Sequence, residues 1–404
     1  MSIFNPRTYS TDWEIMVIDR LNRSIDTAQC ASFAGALSSE FDWAIIPDWR
    51  TIELCLGINT SLEGMYERIC KTTDRAGEFF NNYDLQMFPS GAHPVERMFN
   101  SSHIHVGTIH DEKEAIYLEN QVMKYLPAFA ALAANSPFWQ LKGKEFKSYR
   151  VMHKAHDCTR PMTIRDPHFS QPMWGMDACP KIYSKPTLEI RIIDCASSRR
   201  FLAEMTTFVA AFLHHLGEKV SKEMPSKKEY QDFLTNRWAA AKFGMQASFI
   251  WGSKGKSVAE ILDGMIDECE SSLKHLGAKK KDLVMINKMI KKRICQADFG
   301  LNLAERYSDP YVFADVFSKL LRNWNAIDEF IDSAKSLEPK SILDEKAIID
   351  QHLRLIGDET HFYRLRDAMH YPGTLTDEII EKLLKDGLIT KEETKSRGTL
   401  LHRK

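Results

Sequence analysis

Lys185-Pro186-Thr187-Leu188-Glu189-Ile190-Arg191-Ile192-Ile193-Asp194 decides how the rest of the chain is to be read. In an extended strand successive side chains alternate between faces. Thr187, Glu189 and Arg191 therefore share one face, while Leu188, Ile190 and Ile192 pack into an apolar layer on the other. A carboxylate and a guanidinium on the open face of a strand with a buried back form a candidate ligand-binding wall.

Three further segments repeat the pattern. In Thr11-Asp12-Trp13-Glu14-Ile15-Met16-Val17-Ile18-Asp19, Asp12 and Glu14 project together. In Arg50-Thr51-Ile52-Glu53-Leu54-Cys55-Leu56, Glu53 stands opposite Ile52, Leu54 and Leu56. In Ser102-His103-Ile104-His105-Val106-Gly107, two imidazoles share a face with Ile104 and Val106 behind. Any half-exposed antiparallel sheet alternates in this way. Solvated faces, however, mix Thr, Lys, Ser and Gln, whereas this set is Asp12, Glu14, Glu53, His103, His105, Glu189 and Arg191, with no lysine between Thr187 and Asp194 or in the other three runs. Oxygen ligands with an occasional imidazole suit Mg²⁺ or Mn²⁺ rather than a thiolate zinc centre. The expectation is one sheet, apolar behind and acidic in front, around a divalent metal.

The 404 residues carry 54 Lys and Arg against 55 Asp and Glu, a formal charge of −1. That balance argues against nucleic acid or an acidic membrane as the partner. Cys30, Cys55, Cys70, Cys158, Cys179, Cys195, Cys269 and Cys295 are scattered without metal-finger spacing and read as reduced cytosolic thiols. Met1 to Arg7 has no apolar signal core, and no run approaches the ~18 apolar residues of a membrane span. A cytoplasmic protein is expected.

Helices are predicted over Leu62–Phe80, Lys113–Ala134, Arg199–Lys219, Lys228–Ile250, Ser257–Leu276 and Lys281–Glu305. A proline-punctuated stretch from Phe138 to Pro186 reads as a binding loop or lid. Ser336-Leu337-Glu338-Pro339 marks a boundary between a catalytic domain, 1–335, and a C-terminal extension, 336–404, with short helices over Ala347–Gly357, Glu359–Met369 and Thr376–Gly387. The class is α+β, with an antiparallel sheet and helices segregated to its other side.

In order, these segments resemble carboxylate–amine ligases of the glutamate–cysteine ligase type 2 group, in the glutamine-synthetase-like superfamily. The likeness runs through Asp12-Trp13-Glu14, Glu53-Leu54-Cys55-Leu56-Gly57, Gly91-Ala92-His93-Pro94 and His103-Ile104-His105-Val106-Gly107. It continues through Asn135-Ser136-Pro137, Ser148-Tyr149-Arg150, Thr187 to Asp194 and Asn236-Arg237-Trp238, covering about residues 10 to 305. Where the family has Gly-Xaa-Glu-Xaa-Glu, this chain has Ser10, Asp12 and Glu14; where the family has Asp-Ile-Arg-Pro, Cys179 replaces the arginine.

The resemblance implies a curved antiparallel sheet lining a funnel-shaped active site, with helices on its outer face. It also implies ATP, with Mg²⁺ (or Mn²⁺) held by Asp12, Glu14, Glu53, His105 and Glu189. His103 is a candidate for phosphate or for groups behind the metal ligands. Arg191 and Arg150 are candidates for the phosphoryl group in flight, since guanidinium clamps phosphate bidentately; a plain carboxylate salt bridge is the competing role. Arg165 is a candidate for a substrate carboxylate, His93 for the substrate pocket and Arg293 for nucleotide phosphate, against ordinary loop, turn and helix-end roles. No Walker-type glycine loop is present, which leaves phosphate to metals and arginines.

The expected activity joins an amino acid or peptide carboxylate to an amine through an acyl phosphate. A protein tail is a possible substrate, and a homo-oligomer is expected. Phosphotransfer to a guanidino or other nitrogen acceptor, and a catalytically silent binding homologue, stay open as alternatives.

Overall fold

Tyr9–Ile18 forms the central strand of the molecule because it is a period-two run whose odd positions, Thr11 apart, are large and mostly apolar. The computed structural model describes residues 8–107, 112–139, 145–153, 176–181, 187–218, 221–340, 350, 353, 356, 359–361, 373–394 and 398–404. Its main sheet contains β1 (Tyr9–Ile18), β2 (Ile45–Asp48), β3 (Thr51–Cys55), β4 (Gln86–Phe88), β5 (Ser102–Gly107), β6 (Ala178–Lys181) and β7 (Thr187–Ile190). The order is β2-β3-β1-β5-β7-β6, β4 pairs with the end of β1, and every pairing is antiparallel.

Trp13, Ile15, Val17, Ile52, Leu54, Ile104, Val106, Leu188 and Ile190 are buried on the back of this sheet. Against it lies the helix Arg199–Gly217, buried along almost its whole length and started by the Ser198 hydroxyl, which accepts from the Phe201 N–H at 3.0 Å. Tyr9 Oη and Thr207 Oγ1 meet at 3.0 Å, and Trp13 Nε1 donates to the Ala196 carbonyl at 3.2 Å. Burying this many large side chains is the main favourable term of the fold.

Two buried carboxylates tie the connecting segments to the sheet. Asp194 accepts from Asn135 N–H and Ser136 Oγ, both at 2.8 Å, and from Ser148 Oγ at 3.1 Å, with Arg150 Nη1 at 3.5 Å. Asp177 receives Arg237 through Nε at 2.8 Å and Nη2 at 2.9 Å, a bidentate geometry, while Arg237 Nη1 donates to the Val151 carbonyl at 2.7 Å. The Asp177 carbonyl in turn accepts from the Arg191 and Ile192 N–H groups, so this pair also sets where β7 ends.

Several expected helices are interrupted. Lys113–Ala134 divides into Glu112–Val122, a 3₁₀ turn at Met123–Tyr125 and Leu126–Ala133, because Pro127 has no N–H and starts a new helix. Lys228–Ile250 is α-helical only over Lys227–Phe243, followed by a 3₁₀ turn at Gly244–Gln246. It stops at Gly244, φ +52°, where an added Cβ would lie 2.8 Å from both Cys295 Sγ and Lys147 Cδ. Ser248–Trp251 (β8) and Lys254–Ser257 (β9) follow as a hairpin. Ser257–Leu276 becomes Val258–Glu268 and Glu270–His275, and Lys281–Glu305 breaks at Arg293, φ 55°.

The C-terminal region was expected to be helical throughout. It does contain a helix, Gly373–Lys385, but also β10 (Glu359–His361), β11 (Ile389–Thr394) and β12 (Gly398–Arg403), paired in the order β10-β12-β11. Among the described residues no helix is long and apolar enough to cross a membrane. All the described cysteines are free thiols.

Breaking a buried ion pair leaves an uncompensated charge and costs roughly 3–5 kcal/mol. Arg237→Met, which strands the Asp177 carboxylate, should therefore lower the unfolding free energy by about that amount in urea denaturation. A loss under about 1 kcal/mol would show that the pair does not hold the end of β7.

Candidate active site

Sheet register converts four separate alternating patterns into one surface. β1 pairs with β3 so that Asp12 faces Cys55 and Glu14 faces Glu53. On its other side β1 places Ser10 opposite His105 and Asp12 opposite His103. β5 then sets His105 opposite Glu189 on β7. Directly opposite residues share a face. Asp12, Glu14, Glu53, His103, His105 and Glu189 thus all open on the same side.

They line a cavity of about 330 Å³, together with Arg191 and with Ile46, Asp48, Trp49, Thr51, Phe99 and Lys181. His105 Nε2 lies 2.8 Å from Asp12 Oδ2 and 3.6 Å from Glu189 Oε1, while its Nδ1 meets Thr187 Oγ1 at 3.2 Å. His103 Nδ1 is 3.3 Å from Glu189 Oε1, and its Nε2 meets Ser101 Oγ at 2.7 Å. Ser101 fixes Glu14 twice, donating to Oε2 from its N–H at 2.7 Å and from its hydroxyl at 2.6 Å. Arg191 Nη1 donates to Glu189 Oε1 at 2.6 Å, and Lys181 Nζ is 3.2 Å from Glu189 Oε2. Positive charge is gathered at the β6–β7 side of the cavity and negative charge at the β1–β3 side.

The acids on the β1–β3 side disfavour one another's ionisation. Burial, followed by the charges of Asp12, Glu14 and Asp48, pushes the Glu53 carboxyl up to about 8. Burial also raises Glu14, against the lowering effect of the Ser101 hydrogen bonds and of Arg150. Asp12, Glu53 and Cys55 each offer one donor atom within 4.8 Å of the others. A divalent cation is the natural counter-charge to such a group.

A second cavity of about 640 Å³ adjoins the first and shares Asp12 and His105 with it. Its wall is mostly apolar, with Tyr9, Trp43, Ala44 and Ile58 prominent.

Three proposed site residues do not line this cavity, and a fourth cannot be placed. Arg150 is buried, bound to Asp194 and donating through Nη2 to the Arg191 carbonyl at 2.5 Å, so it supports the site from below and does not line it. His93 is 1% exposed; its Nδ1 accepts from Val95 N–H at 3.2 Å and Glu96 N–H at 2.9 Å, and its ring lies against Phe88. It is a turn residue, not part of the pocket. Arg293 caps a helix and lines a different cavity with Ser248, Lys256 and Glu260, which has no residue in common with the acidic one. Arg165 lies outside the described residues.

Lys181, Asp48 and Cys55 were missed. Lys181 sits on a short strand inside the stretch read as loop, and Asp48 precedes Trp49, which turns the β2–β3 hairpin at φ 52°. Cys55 follows Glu53 by two residues, so the alternation that selected Glu53 also reaches it.

Residues 53–157 match the family model described as Glutamate-cysteine ligase family 2. A putative glutamate–cysteine ligase 2 of Clavibacter sepedonicus is 28% identical over 178 residues, which is 38% of this chain and 44% of that protein. A protein of the same name from Ralstonia pickettii (strain 12J) is 22% identical over 344 residues, 72% of this chain and 89% of the relative. Over these stretches the chain is similar to glutamate–cysteine ligase family 2. The alignments to the first two relatives cover less than half of their length. The crystal structure of a glutamate–cysteine ligase from Francisella tularensis in complex with AMP superposes with a TM-score of 0.52 at 12% identity, over 94% of this chain and 98% of that one, and shows the shared fold. The glutamine-synthetase-like expectation for the fold is borne out.

The raised Glu53 carboxyl gives a pH dependence. In metal-free protein Glu53 keeps its proton to about pH 8, whereas the ordinary value is 4.5. Between these values the folded chain binds more protons than the unfolded one, so stability falls as pH rises and levels off above 8. Glu53→Gln removes this contribution. In EDTA-treated protein its Tm should decline less from about pH 5 to about pH 8 and exceed the parent's at the upper end. Glu14 shifts in the same direction, so the slope shrinks without vanishing. Parallel Tm curves for variant and parent would contradict the assignment.

Proposed function

We propose that the chain is an ATP-dependent carboxylate–amine ligase, which joins an amino acid or peptide carboxylate to an amine through an acyl phosphate. The observation that carries this is the convergence of Asp12, Glu14, Glu53, His103, His105 and Glu189 in one cavity, with Arg191 and Lys181 at one side. The family relationship and the shared fold support it.

The donor set fits Mg²⁺ or Mn²⁺: carboxylates with one or two imidazoles, crowded enough that Glu53 retains its proton when no cation is near. Asp12, Glu14, Glu53, His105 and Glu189 are the residues that would hold it. Bound there, the metal supplies charge neutralisation for triphosphate oxygens.

The chemistry has two steps. A carboxylate oxygen attacks the γ-phosphorus, the bond from that phosphorus to the bridging oxygen breaks, and ADP leaves. The amine nitrogen then attacks the acyl carbon, the carbon–oxygen bond to phosphate breaks, and the amine loses a proton as phosphate departs. Arg191 and Lys181 provide the positive wall beside which the transferred phosphoryl group is held, in the manner of guanidinium and ammonium clamps. Ser101 keeps Glu14 in one orientation, and Arg150, through the Arg191 carbonyl, fixes the strand end from which Arg191 projects.

The test supplies ATP, Mg²⁺ and panels of amino acids and short peptides, and follows ADP release with mass-spectrometric detection of amides. Turnover is expected with at least one pair. Glu189→Gln, which removes a carboxylate charge at the junction of Arg191, Lys181 and both histidines, should lower kcat at least roughly 100-fold. A phosphorylated acceptor in place of an amide, or no ATP consumption with any panel, overturns the proposal.

A further inference from the structure

We infer that the turn Asp48-Trp49 selects the amine substrate: Asp48 receives its ammonium group, and Trp49 with Ile46 holds an apolar body attached to it. The inference rests on the ligase reading and adds to it the class of amine. Strand register places the parts. Ile46 pairs with Glu53 and Asp48 with Thr51 across the β2–β3 hairpin, so Ile46 and Asp48 open on the face that carries Glu14 and Glu53. Ile46, Asp48 and Trp49 all line the acidic cavity.

Trp49 is the unexpected residue. It turns the hairpin at φ 52°, in the left-handed region that glycine occupies freely and a bulky side chain avoids. It is 56% exposed, so core packing does not account for it. The turn is nevertheless firmly held. Thr51 Oγ1 donates to the Asp48 carbonyl at 2.7 Å, and Arg50 Nη2 donates to Glu96 Oε2 at 2.7 Å and to Ser24 Oγ. The Arg50 guanidinium lies 5.9 Å from the centre of the Trp49 ring. The fold thus fixes an indole at the cavity and leaves it uncovered, as a contact surface for a ligand requires.

Charge decides which ligand that is. β2 and β6 are the two ends of the sheet, so Asp48 and Lys181 stand on opposite sides of the cavity. Arg191 and Lys181 suit an anion. Asp48 is not among the residues assigned to the metal, so metal binding by Asp12, Glu14 and Glu53 leaves its carboxylate for another cation. An alkylammonium satisfies both halves of the turn. Its charge pairs with Asp48 and is attracted to an indole face, while its carbon body covers Ile46 and the Trp49 ring. A short hydroxylated amine covers neither apolar group. An amine with an acidic side chain brings a second carboxylate towards Asp48, with only Ile46 and Trp49 to receive it.

The test reads binding, not turnover, by isothermal titration calorimetry of the full-length protein with Mg²⁺ and a non-hydrolysable ATP analogue. Phenethylamine is expected to bind about tenfold or more tighter than ethanolamine, which has the same charge, and than phenethyl alcohol, which has the same ring. These comparisons need no variant to fold. Trp49→Gly removes the ring and suits the left-handed backbone, so its Tm should equal or exceed the parent's while the two amines come within roughly threefold of each other. Asp48→Asn should weaken both amines about tenfold or more and leave their ratio within roughly threefold of the parent's. Equal binding of the two amines by the parent, equal binding of the alcohol, a preference that survives in Trp49→Gly, or undiminished affinity in Asp48→Asn overturns the inference. Amine selection with no amide formation counts against the ligase reading alone. Amide formation with no preference for an apolar amine counts against this inference alone.

Discussion

Glu14 and Glu53 face each other across two paired strands, and like charges directly opposite in a sheet repel. Asp12 stands beside them, and Asp48 closes the same cavity. In a partly dry setting this arrangement is tolerated only while a proton stays on Glu53, as its raised carboxyl indicates, or while a cation takes the proton's place. The remainder of the catalytic body can be understood as what forces these groups to stay together. A sheet whose back is sealed by the helix Arg199–Gly217 cannot slip by one residue, because a slip would turn Trp13, Ile15 and Val17 outward and bury the acids.

The buried charges outside the cavity serve the same end. Asp194 gathers Asn135, Ser136, Ser148 and Arg150, while Asp177 holds Arg237 and, through its carbonyl, the N–H groups of Arg191 and Ile192. Segments far apart in the chain thus meet at fully hydrogen-bonded carboxylates, the condition under which buried charge is tolerated. Arg150 belongs to this supporting layer: it donates to the carbonyl of Arg191 and its charge acts on Glu14 from behind the cavity.

The cluster itself was legible because strand alternation is local. Asp12, Glu14, Glu53, His103, His105, Glu189 and Arg191 each follow from a period of two within a short run, and a single register brings the runs together. Arg150 and His93 were misplaced because the sequence offers a residue type, not the direction of its side chain. A guanidinium satisfied by Asp194 and an imidazole satisfied by two N–H groups look the same on paper as a phosphate clamp and a pocket wall. Lys181 was hidden because β6 is only four residues long and lies among prolines that suggest a loop. The C-terminal strands were missed because Ile389–Thr394 is mostly polar and charged, with a single buried apolar anchor at Ile389, and such a segment declares itself only through its partner strand.

The two adjoining cavities give the site its asymmetry. One side presents Arg191 and Lys181 beside Glu189; the other passes over Asp12 and His105 into a wall of Tyr9, Trp43, Ala44 and Ile58. The ligation proposed above would need strong charge stabilisation at the first centre and exclusion of water from the acyl carbon at the second. Water is a competing nucleophile for an acyl phosphate, and an apolar wall lowers its local concentration without contributing any charge. Asp12 and His105, common to both spaces, stand where the polar and apolar requirements meet.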